Sequence, residues 1–457
     1  MRALYFRDYI RKFVSSLYFP ILLSCLSFLS WVGESLLVWW IFPFYVICTL
    51  LPIFSEDGRG YLPLFFFMII LSNKDIHFSG GIPLYLILSL AFFTISLIIY
   101  LVVHKPKLNT GRLFFVLLSL YIVFLISYLA SVVTNGSKGS TGILYLITMF
   151  LVLILYILFN SVLGQGETMP YFSKTYCCFA TAAAFETLIC IISKNGISFA
   201  SMDFSLGWSY TRETVSTFLT LSLPFFALLI HERKPFWSLP LLFVLFATIL
   251  LSTDSGLVCL ILFSIPLVIL TLTDYSKHSS YLNVLVLLIL GITFGLLMGL
   301  NTDFSQRIVK AIMRLDIFSD SSMQSWLPYM KSYISQPIFG PSITYLSNEG
   351  GTISLCNNTI LSTFILGGSF GIAIYLFYEI TIYKTFLEKK MQGKSMFLIF
   401  LFMIEVAGFI DNTIYNIAIL SIFLTAFSVF RQTNRPDEIL IHQDFFLNHA
   451  KEENPFE

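Results

Sequence analysis

Charge is what this sequence has least of. Asp, Glu, Lys and Arg make up 12% of its 457 residues, whereas soluble globular proteins carry about 25%. The charges are clustered between long apolar runs, and hydrophobic residues reach 57% of the chain, with 48 phenylalanines among them. The net charge of +1 gives no reason to expect nucleic acid as a partner. These features exclude a soluble domain and predict a polytopic integral membrane protein.

Patterns that bind metals or form disulfides are also missing. The seven cysteines make no CxxC pair and most fall inside apolar runs, so we expect neither a disulfide framework nor a metal site. No HxxxH pattern, P-loop or GxGxxG stands in a suitable context, and we expect no cofactor. No small-residue cleavage site follows the basic N-terminus, which predicts that the first apolar run is retained as a helix.

The apolar runs predict an all-α fold of about 12–14 transmembrane helices, because a helix needs about 20 apolar residues to cross the hydrocarbon core. This transmembrane domain covers residues 1–430, and a charged cytoplasmic tail covers 431–457. The segment 60–73 is short enough to be re-entrant, and 356–383 is long enough to tilt or to begin outside the bilayer. The candidate spans are 14–31, 36–53, 60–73, 82–103, 113–133, 143–163, 175–193, 214–231, 236–252, 256–273, 281–300, 356–383, 395–410 and 414–430.

The distribution of Lys and Arg predicts the orientation. With all fourteen spans crossing, nineteen of the 27 Lys and Arg residues fall on the side of the N-terminus. Cytoplasmic loops carry such an excess, so we expect both termini in the cytoplasm. Residues 301–355 form the only long hydrophilic connection, and this orientation places that loop outside, where a loop of such length usually has a function.

The long loop contains two predicted amphipathic helices. In 304–315, Arg307, Lys310 and Arg314 share one helical face opposite an apolar face. These cations could hold a lipid phosphate or pyrophosphate, or the helix could simply lie on anionic lipid. A second helical stretch is predicted from Ser321 to Ser335, with Trp326 as an interface anchor.

Four carboxylates lie in or close to apolar runs: Glu186, Glu379, Glu405 and Asp411. An intramembrane carboxylate is a functional candidate by default. The alternative for each is a position at a helix end or a bond to a buried polar group. On sequence alone they are isolated groups in different helices, which gives weak support for a proton or ion relay.

The C-terminal half, over roughly residues 205–380, resembles the bacterial O-antigen polymerase and O-antigen ligase superfamily. The pieces that carry the resemblance occur in the family's order around the long loop. They are the Gly207–Pro224 segment, the turn Leu251–Gly256, Trp326 followed by Pro337–Ser342, Asn357–Leu361, and Gly367–Gly371.

This resemblance implies metal-free glycosyl transfer from an undecaprenyl-pyrophosphate-linked oligosaccharide, on the outer face of the bacterial cytoplasmic membrane. Arg212 would stabilise the leaving pyrophosphate, with Arg307, Lys310 and Arg314 behind it. Glu213 or Asp254 would be the base. Trp326, Asn357 and Asn358 would bind substrate, although Asn358 could instead cap a helix. Membrane lipid and a chain-length regulator protein are the further partners that the resemblance implies.

Departures from the family pattern keep other functions open. Asn357 stands where the family often has His, Ser255 where it often has Arg, and Ser322 where Arg usually precedes the Trp; Glu213 replaces a common Asn. These departures weaken the case for an O-antigen ligase most, because the ligase function depends on that His and those Arg residues. A lipid-linked oligosaccharide flippase or transporter, and a family member that only binds its substrate, are the remaining alternatives.

Overall fold

The architecture is that of a helical bundle, seen in a computed structural model. The structure describes residues 2–32, 35–72, 84–106, 108–135, 140–163, 168–195, 212–231, 235–251, 253, 255–263, 326–327, 330–331, 333–334, 336–341, 358–388, 394–410 and 415–432. These residues include no β-strand. Most of the predicted long loop, with its predicted cationic helix 304–315, and the tail from 433 onward lie outside the described residues, as do the predicted span 281–300, Ser322 and Asp411.

The described residues form thirteen longer α-helices, and all of them except α1 follow predicted apolar runs closely. Two short 3₁₀ turns, Gly58–Gly60 and Pro235–Trp237, precede α4 and α10, and a further helical segment covers 255–263. The helices are α1 (Arg2–Val14), α2 (Tyr18–Val32), α3 (Ser35–Ser55), α4 (Tyr61–Ser72), α5 (Leu84–His104), α6 (Gly111–Asn135), α7 (Ser140–Val162), α8 (Thr168–Asn195), α9 (Arg212–His231), α10 (Ser238–Leu251), α11 (Thr359–Glu388), α12 (Lys394–Ile410) and α13 (Ile417–Gln432).

Three of the described helices are long and apolar enough to cross a membrane by themselves: Gly111–Val133, Tyr145–Val162 and Thr359–Glu388. A fourth span results if Phe6–Val14 and Tyr18–Ser30, which meet at 65°, count as one. The basic residues of the N-terminus therefore lie on a helix of their own, α1, set at an angle to the apolar α2. The all-helical architecture and these apolar helices are those of a membrane protein.

The short helix α4 lies at the centre of the bundle. Its twelve residues reach only about 18 Å, less than the thickness of a bilayer core. Phe66 is fully buried, and its ring centroid lies 5.8 Å from that of Phe172, 5.1 Å from that of Tyr176 and 5.7 Å from that of Phe179. Aromatic packing with α8 thus replaces the lipid contacts that a full-length span would make.

Arginines pack at one end of the bundle, which we call the cationic end (Arg7, Arg59 and Arg431). Arg7 pairs with Glu56, and the Arg59 guanidinium makes a bidentate bond to the buried Asp57. Arg431, in the last turn of α13, donates to Asn109 Oδ1 at 2.9 Å. The last turn of α13 therefore meets the chain between α5 and α6 here.

The helix α11 is broken at Gly368, whose φ of 59° and ψ of −151° are not helical. Residues eight positions apart in a continuous helix are separated by about 12 Å along its axis. Here, however, a Cβ atom placed on Gly371 would lie 3.1 Å from the carbonyl oxygen of Thr363. The chain therefore folds back on itself into a short arm, 359–367, and a long arm, 369–388.

Candidate functional site

The candidate site lies at the end of the bundle opposite the cationic end, where α9 and α13 begin. Two predicted catalytic residues, Arg212 and Glu213, are the first two residues of α9, with side chains outside the described part of the structure. Asp254, Arg307, Lys310, Arg314 and Asn357 also lie outside the described residues. What the structure gives is the arrangement of the chain segments that carry or adjoin these positions.

The turn that contains Asp254 is bonded to the first turns of α9. Thr253 Oγ1 donates to Ser216 Oγ at 2.6 Å and accepts from the backbone N–H of Gly256 at 3.2 Å. A Cβ atom on Gly256 would collide with Ser216 Oγ, so the close approach of the turn to α9 requires glycine there. Thr253 and Ser255, the two neighbours of Asp254, are consequently both buried.

The start of α13 is bonded to the same turn of α9. Asn416 caps α13, because its Oδ1 accepts from the N–H groups of Ala418 at 3.1 Å and Ile419 at 3.4 Å. Its Nδ2 donates to Thr214 Oγ1 at 3.0 Å. This one amide side chain therefore accepts from free N–H groups in the first turn of α13. It also connects α13 to Thr214, the residue next to Glu213.

The predicted substrate-binding residue Asn358 has a structural role. Its Oδ1 accepts from the N–H groups of Ile360 at 2.9 Å and Leu361 at 3.1 Å, which makes it the N-cap of α11. Its Nδ2 donates to the carbonyl of Phe409 at 3.2 Å, near the end of α12. Both functional atoms of this buried side chain are thus engaged, and the alternative stated from the sequence, a helix cap, describes Asn358.

Tyr415 completes the connections at this end. Its hydroxyl bonds to Thr363 Oγ1 on the short arm of α11, and its carbonyl accepts from Tyr145 Oη at 3.0 Å. The ring of Phe124 in α6 packs edge-on against Tyr415 at 5.9 Å between centroids. Polar bonds across an apolar bundle are directional, so they fix the relative positions of these helix ends more closely than apolar packing alone.

These bonds join five elements in a ring. The helical segment 255–263 contacts α12 through a Cys259 Sγ–Met403 carbonyl bond of 3.5 Å, and the bonds above close the circle through α11, α13 and α9. We call the polar residues of this ring the helix-end cluster (Thr214, Ser216, Thr253, Asn358 and Asn416). Four helices begin within it: α9, 255–263, α11 and α13. Helix N-termini carry partial positive charge, so their convergence favours an anionic group.

The segment 336–341, which carries the predicted Pro-Ile-Phe-Gly motif, packs into the break of α11. The carbonyl of Pro337 accepts from the Ser369 N–H at 2.9 Å, and that of Ile338 accepts from the Phe370 N–H at 3.4 Å. These carbonyls cap the long arm of α11. The two glycine-containing motifs of the sequence are therefore direct structural partners. Trp326, the other described candidate, lies half-buried in a helical turn just before this segment.

A second polar group, which sequence reasoning treated as isolated residues, lies inside the bundle. Glu379 of α11 and Glu405 of α12 bring their carboxyl groups close together, beside the Tyr375 hydroxyl. Two ionised carboxylates that lie close together repel each other, so such a pair favours holding a proton on one of them. The residues facing this pair are Tyr375, Tyr378, Tyr383 and Tyr415.

The connection between α11 and α12 was the signal that could have revealed this pair. Glu379 lies nine residues before the end of α11, and Glu405 lies eleven residues after the start of α12. In an antiparallel hairpin both are then about 14–17 Å from the shared turn. Glu186 is fully buried in α8, apart from this pair in the sequence and on another helix.

Within the described ranges, no three His, Cys, Asp or Glu side chains are grouped as a metal ion would need. No protein-family model matches the chain, and no curated protein sequence matches it. The superfamily resemblance therefore stays a prediction that rests on the residues themselves.

Proposed function

We propose that this protein is a polysaccharide polymerase of the O-antigen polymerase and ligase type. It would join undecaprenyl-pyrophosphate-linked oligosaccharide repeat units into O-antigen, capsule or exopolysaccharide. One observation carries the proposal: the helix-end cluster gathers the start of α9, the turn around residue 254 and the start of α11. In the sequence these three segments are separated by about 40 to 150 residues. The resemblance places catalytic residues in the first two and substrate-binding residues in the third.

The reaction follows from the groups at these positions. A hydroxyl of the acceptor sugar attacks the anomeric carbon of the donor, and the bond from that carbon to the pyrophosphate oxygen breaks. The pyrophosphate leaves with the bonding electrons, and Arg212 with the surrounding helix N-termini stabilises its charge. The proton of the hydroxyl passes to Glu213 or Asp254. Arg307, Lys310 and Arg314 hold the lipid phosphates, while Trp326 and Asn357 contact the sugar.

The proposed orientation has the cationic end in the cytoplasm and the helix-end cluster outside. Support comes from Arg7, Arg59 and Arg431, which lie together at the cationic end, as the bias of Lys and Arg toward cytoplasmic loops expects. The proposed protein crosses the bacterial cytoplasmic membrane about 12–14 times with both termini inside. A chain-length regulator protein would act beside it.

Reconstitution tests the proposal directly. Liposomes containing the purified protein are supplied with the undecaprenyl-pyrophosphate-linked repeat unit of its host, and the products are separated on a gel. We expect a ladder of lengthening chains. Arg212→Ala should slow it on the order of 100-fold, since removing one preorganised stabiliser of a developing charge costs about that much. Arg212→Lys should retain part of the activity because it keeps the charge.

Lys384→Ala is the matched control. Lys384 is exposed near the cationic end, where it forms a weak 3.9 Å pair with Glu388. Its removal takes away one cation without touching the helix-end cluster, so the ladder should be unchanged. An equal loss in Arg212→Ala and Lys384→Ala would mean that net charge, not the position of Arg212, matters, and the proposed role of Arg212 would be abandoned.

A lipid-linked oligosaccharide flippase is the second candidate, and one observation favours it. The Glu379–Glu405 pair lies well inside two apolar helices, where ionisable groups often mark a transport path. If the liposomes move the lipid-linked unit between leaflets and make no ladder, the flippase replaces the polymerase. A single transfer to an added acceptor, without a ladder, would instead indicate the ligase-type transferase.

A further inference from the structure

A short helical turn precedes the segment 336–341, which we call the wedge. Its apolar face is not covered by any other described part of the bundle. Residues 326–327, 330–331 and 333–334 are helical, and Tyr333 points inward, with its ring centroid 4.7 Å from that of Phe364. Leu327, Met330 and Ile334 point away from the bundle, and Ile334 is 71% exposed. Their spacing of three and four residues is that of one helical face.

The wedge extends this apolar face onto α11. Ile338 is exposed, and the Phe339 ring stacks on that of Phe370 at 5.6 Å between centroids. Tyr333 Oη and the carbonyl of Pro337 both bond to Ser369 Oγ. The polar atoms of the segment are therefore turned toward the break in α11, while its apolar side chains are turned outward.

The same face continues down the long arm of α11. Phe370 is followed by Leu376, Phe377 and Ile380, which are all more than half exposed. This arm has twenty residues and spans about 30 Å, the thickness of a hydrocarbon core. Its other end lies at the cationic end, because the Phe386 ring stacks on that of Phe430, next to Arg431.

We infer that the segment 326–341 is embedded in lipid, in the leaflet on the side of the helix-end cluster, with acyl chains covering Leu327, Met330, Ile334 and Ile338. Continuity with the exposed flank of the long arm identifies lipid hydrocarbon as the occupant. Trp326, at the start of the segment, and the exposed Lys331 have the side chains that anchor such segments at headgroup level. The segment thus holds the middle of the long loop against the membrane.

Cysteine labelling in proteoliposomes tests this inference. Ile334→Cys and Ile338→Cys are compared with Lys331→Cys, using a charged, membrane-impermeant maleimide. Labelling of the unmodified protein gives the background from the native cysteines, which is subtracted. Because the thiolate is the reactive form and does not form in hydrocarbon, labelling at 334 and 338 should be on the order of tenfold slower than at 331. All three positions lie on one segment, so mixed orientation of the protein affects them equally.

Two controls distinguish burial in lipid from burial against a second copy of the chain and from loss of the thiol. After denaturation in detergent all three variants should label to the same extent, which shows that each thiol is intact. Protection must also persist when the protein is diluted in lipid. Rates at 334 and 338 equal to that at 331 would overturn the inference, since the segment would then lie in water. Protection that disappears on dilution would overturn it as well and assign the face to a second copy of the chain.

Discussion

Gly340 and Gly368 face each other across the break in α11. A Cβ atom on Gly340 would lie 2.5 Å from the carbonyl oxygen of Ile365 and 2.9 Å from the backbone nitrogen of Gly368. A Cβ atom on Gly368 would in turn collide with the carbonyl of Ile338. Both residues have positive φ, 75° and 59°. The packing of the wedge into the break of α11 therefore requires two glycines: Gly340 in the wedge and Gly368 at the break.

Gly368→Ala should destabilise the protein, and so should Gly340→Ala. The backbone angles of Gly368 lie in a region that is essentially restricted to glycine, where other residues cost about 1–3 kcal/mol, and the collision adds to this. The thermal unfolding midpoint of the purified protein measures the effect. Leu376→Ala, on the exposed flank of the same arm, is the control and should change the midpoint little. If Gly368→Ala is as stable as Leu376→Ala, the described break is wrong.

Asn358 offers a test of a cap against a sugar ligand. Asn358→Ala should cost about 1 kcal/mol of stability, the usual value of an N-cap. Asn358→Ser keeps an oxygen acceptor for the first turn of α11 and should lose less. Ladder formation, normalised to folded protein, should be the same in both variants. A loss of activity in the Ser variant without a loss of stability would restore Asn358 as a substrate ligand.

The Asp57–Arg59 pair should be strongly coupled. Asp57→Asn keeps the acceptor for the Arg59 N–H but leaves a largely buried guanidinium without its counterion, which costs about 3 kcal/mol. The double variant Asp57→Asn/Arg59→Met should be more stable than Asp57→Asn alone. The exposed Lys384–Glu388 pair is the contrast, and its removal should cost less than about 0.5 kcal/mol. A double-mutant cycle on the unfolding free energy measures both couplings; similar values for the two pairs would contradict the burial of Asp57.

Glu405→Gln should be tolerated better than Glu405→Ala. The glutamine side chain has nearly the same size, and its amide can donate to the Glu379 carboxyl group, which removes the repulsion between two carboxylates. Alanine leaves the Glu379 carboxyl group beside a cavity without that neighbour, at a cost of about 1–3 kcal/mol. The unfolding midpoints of the two variants check this expectation. Equal destabilisation by both substitutions would show that the two carboxyl groups do not interact. A polymerase should keep its ladder in Glu405→Gln, whereas a proton-coupled flippase should lose transport.

Most helix positions could be predicted because the bilayer sets them. The span predicted at 395–410 is observed as Lys394–Ile410, and that predicted at 113–133 is observed as Gly111–Asn135. In both, charged or helix-breaking residues border an apolar run of nearly fixed length. The predicted span 356–383 includes the break that hydropathy could not locate, since it does not register the backbone angles of Gly368.

The candidate site was predictable only in part. The resemblance brought Arg212, Asp254 and Asn358 into one hypothesis, and the segments that carry them do converge. Their connections could not be read from the sequence, because Thr214 and Asn416 are ordinary polar residues until two helix ends meet. Glu379 and Glu405 show the same limit: in the sequence each is an isolated carboxylate, and only the hairpin between α11 and α12 brings them together.

The carboxyl pair also constrains how the protein can be made. A single carboxyl group at the centre of a helix opposes transfer from the translocon into lipid by about 3 kcal/mol. Neither α11 nor α12 has its partner until the other has been synthesised. The contact between Glu379 and Glu405 becomes available only to the completed hairpin, so the two helices should leave the translocon together. The hairpin of α11 and α12 would then enter the membrane as a unit, with α11 held back until α12 is complete.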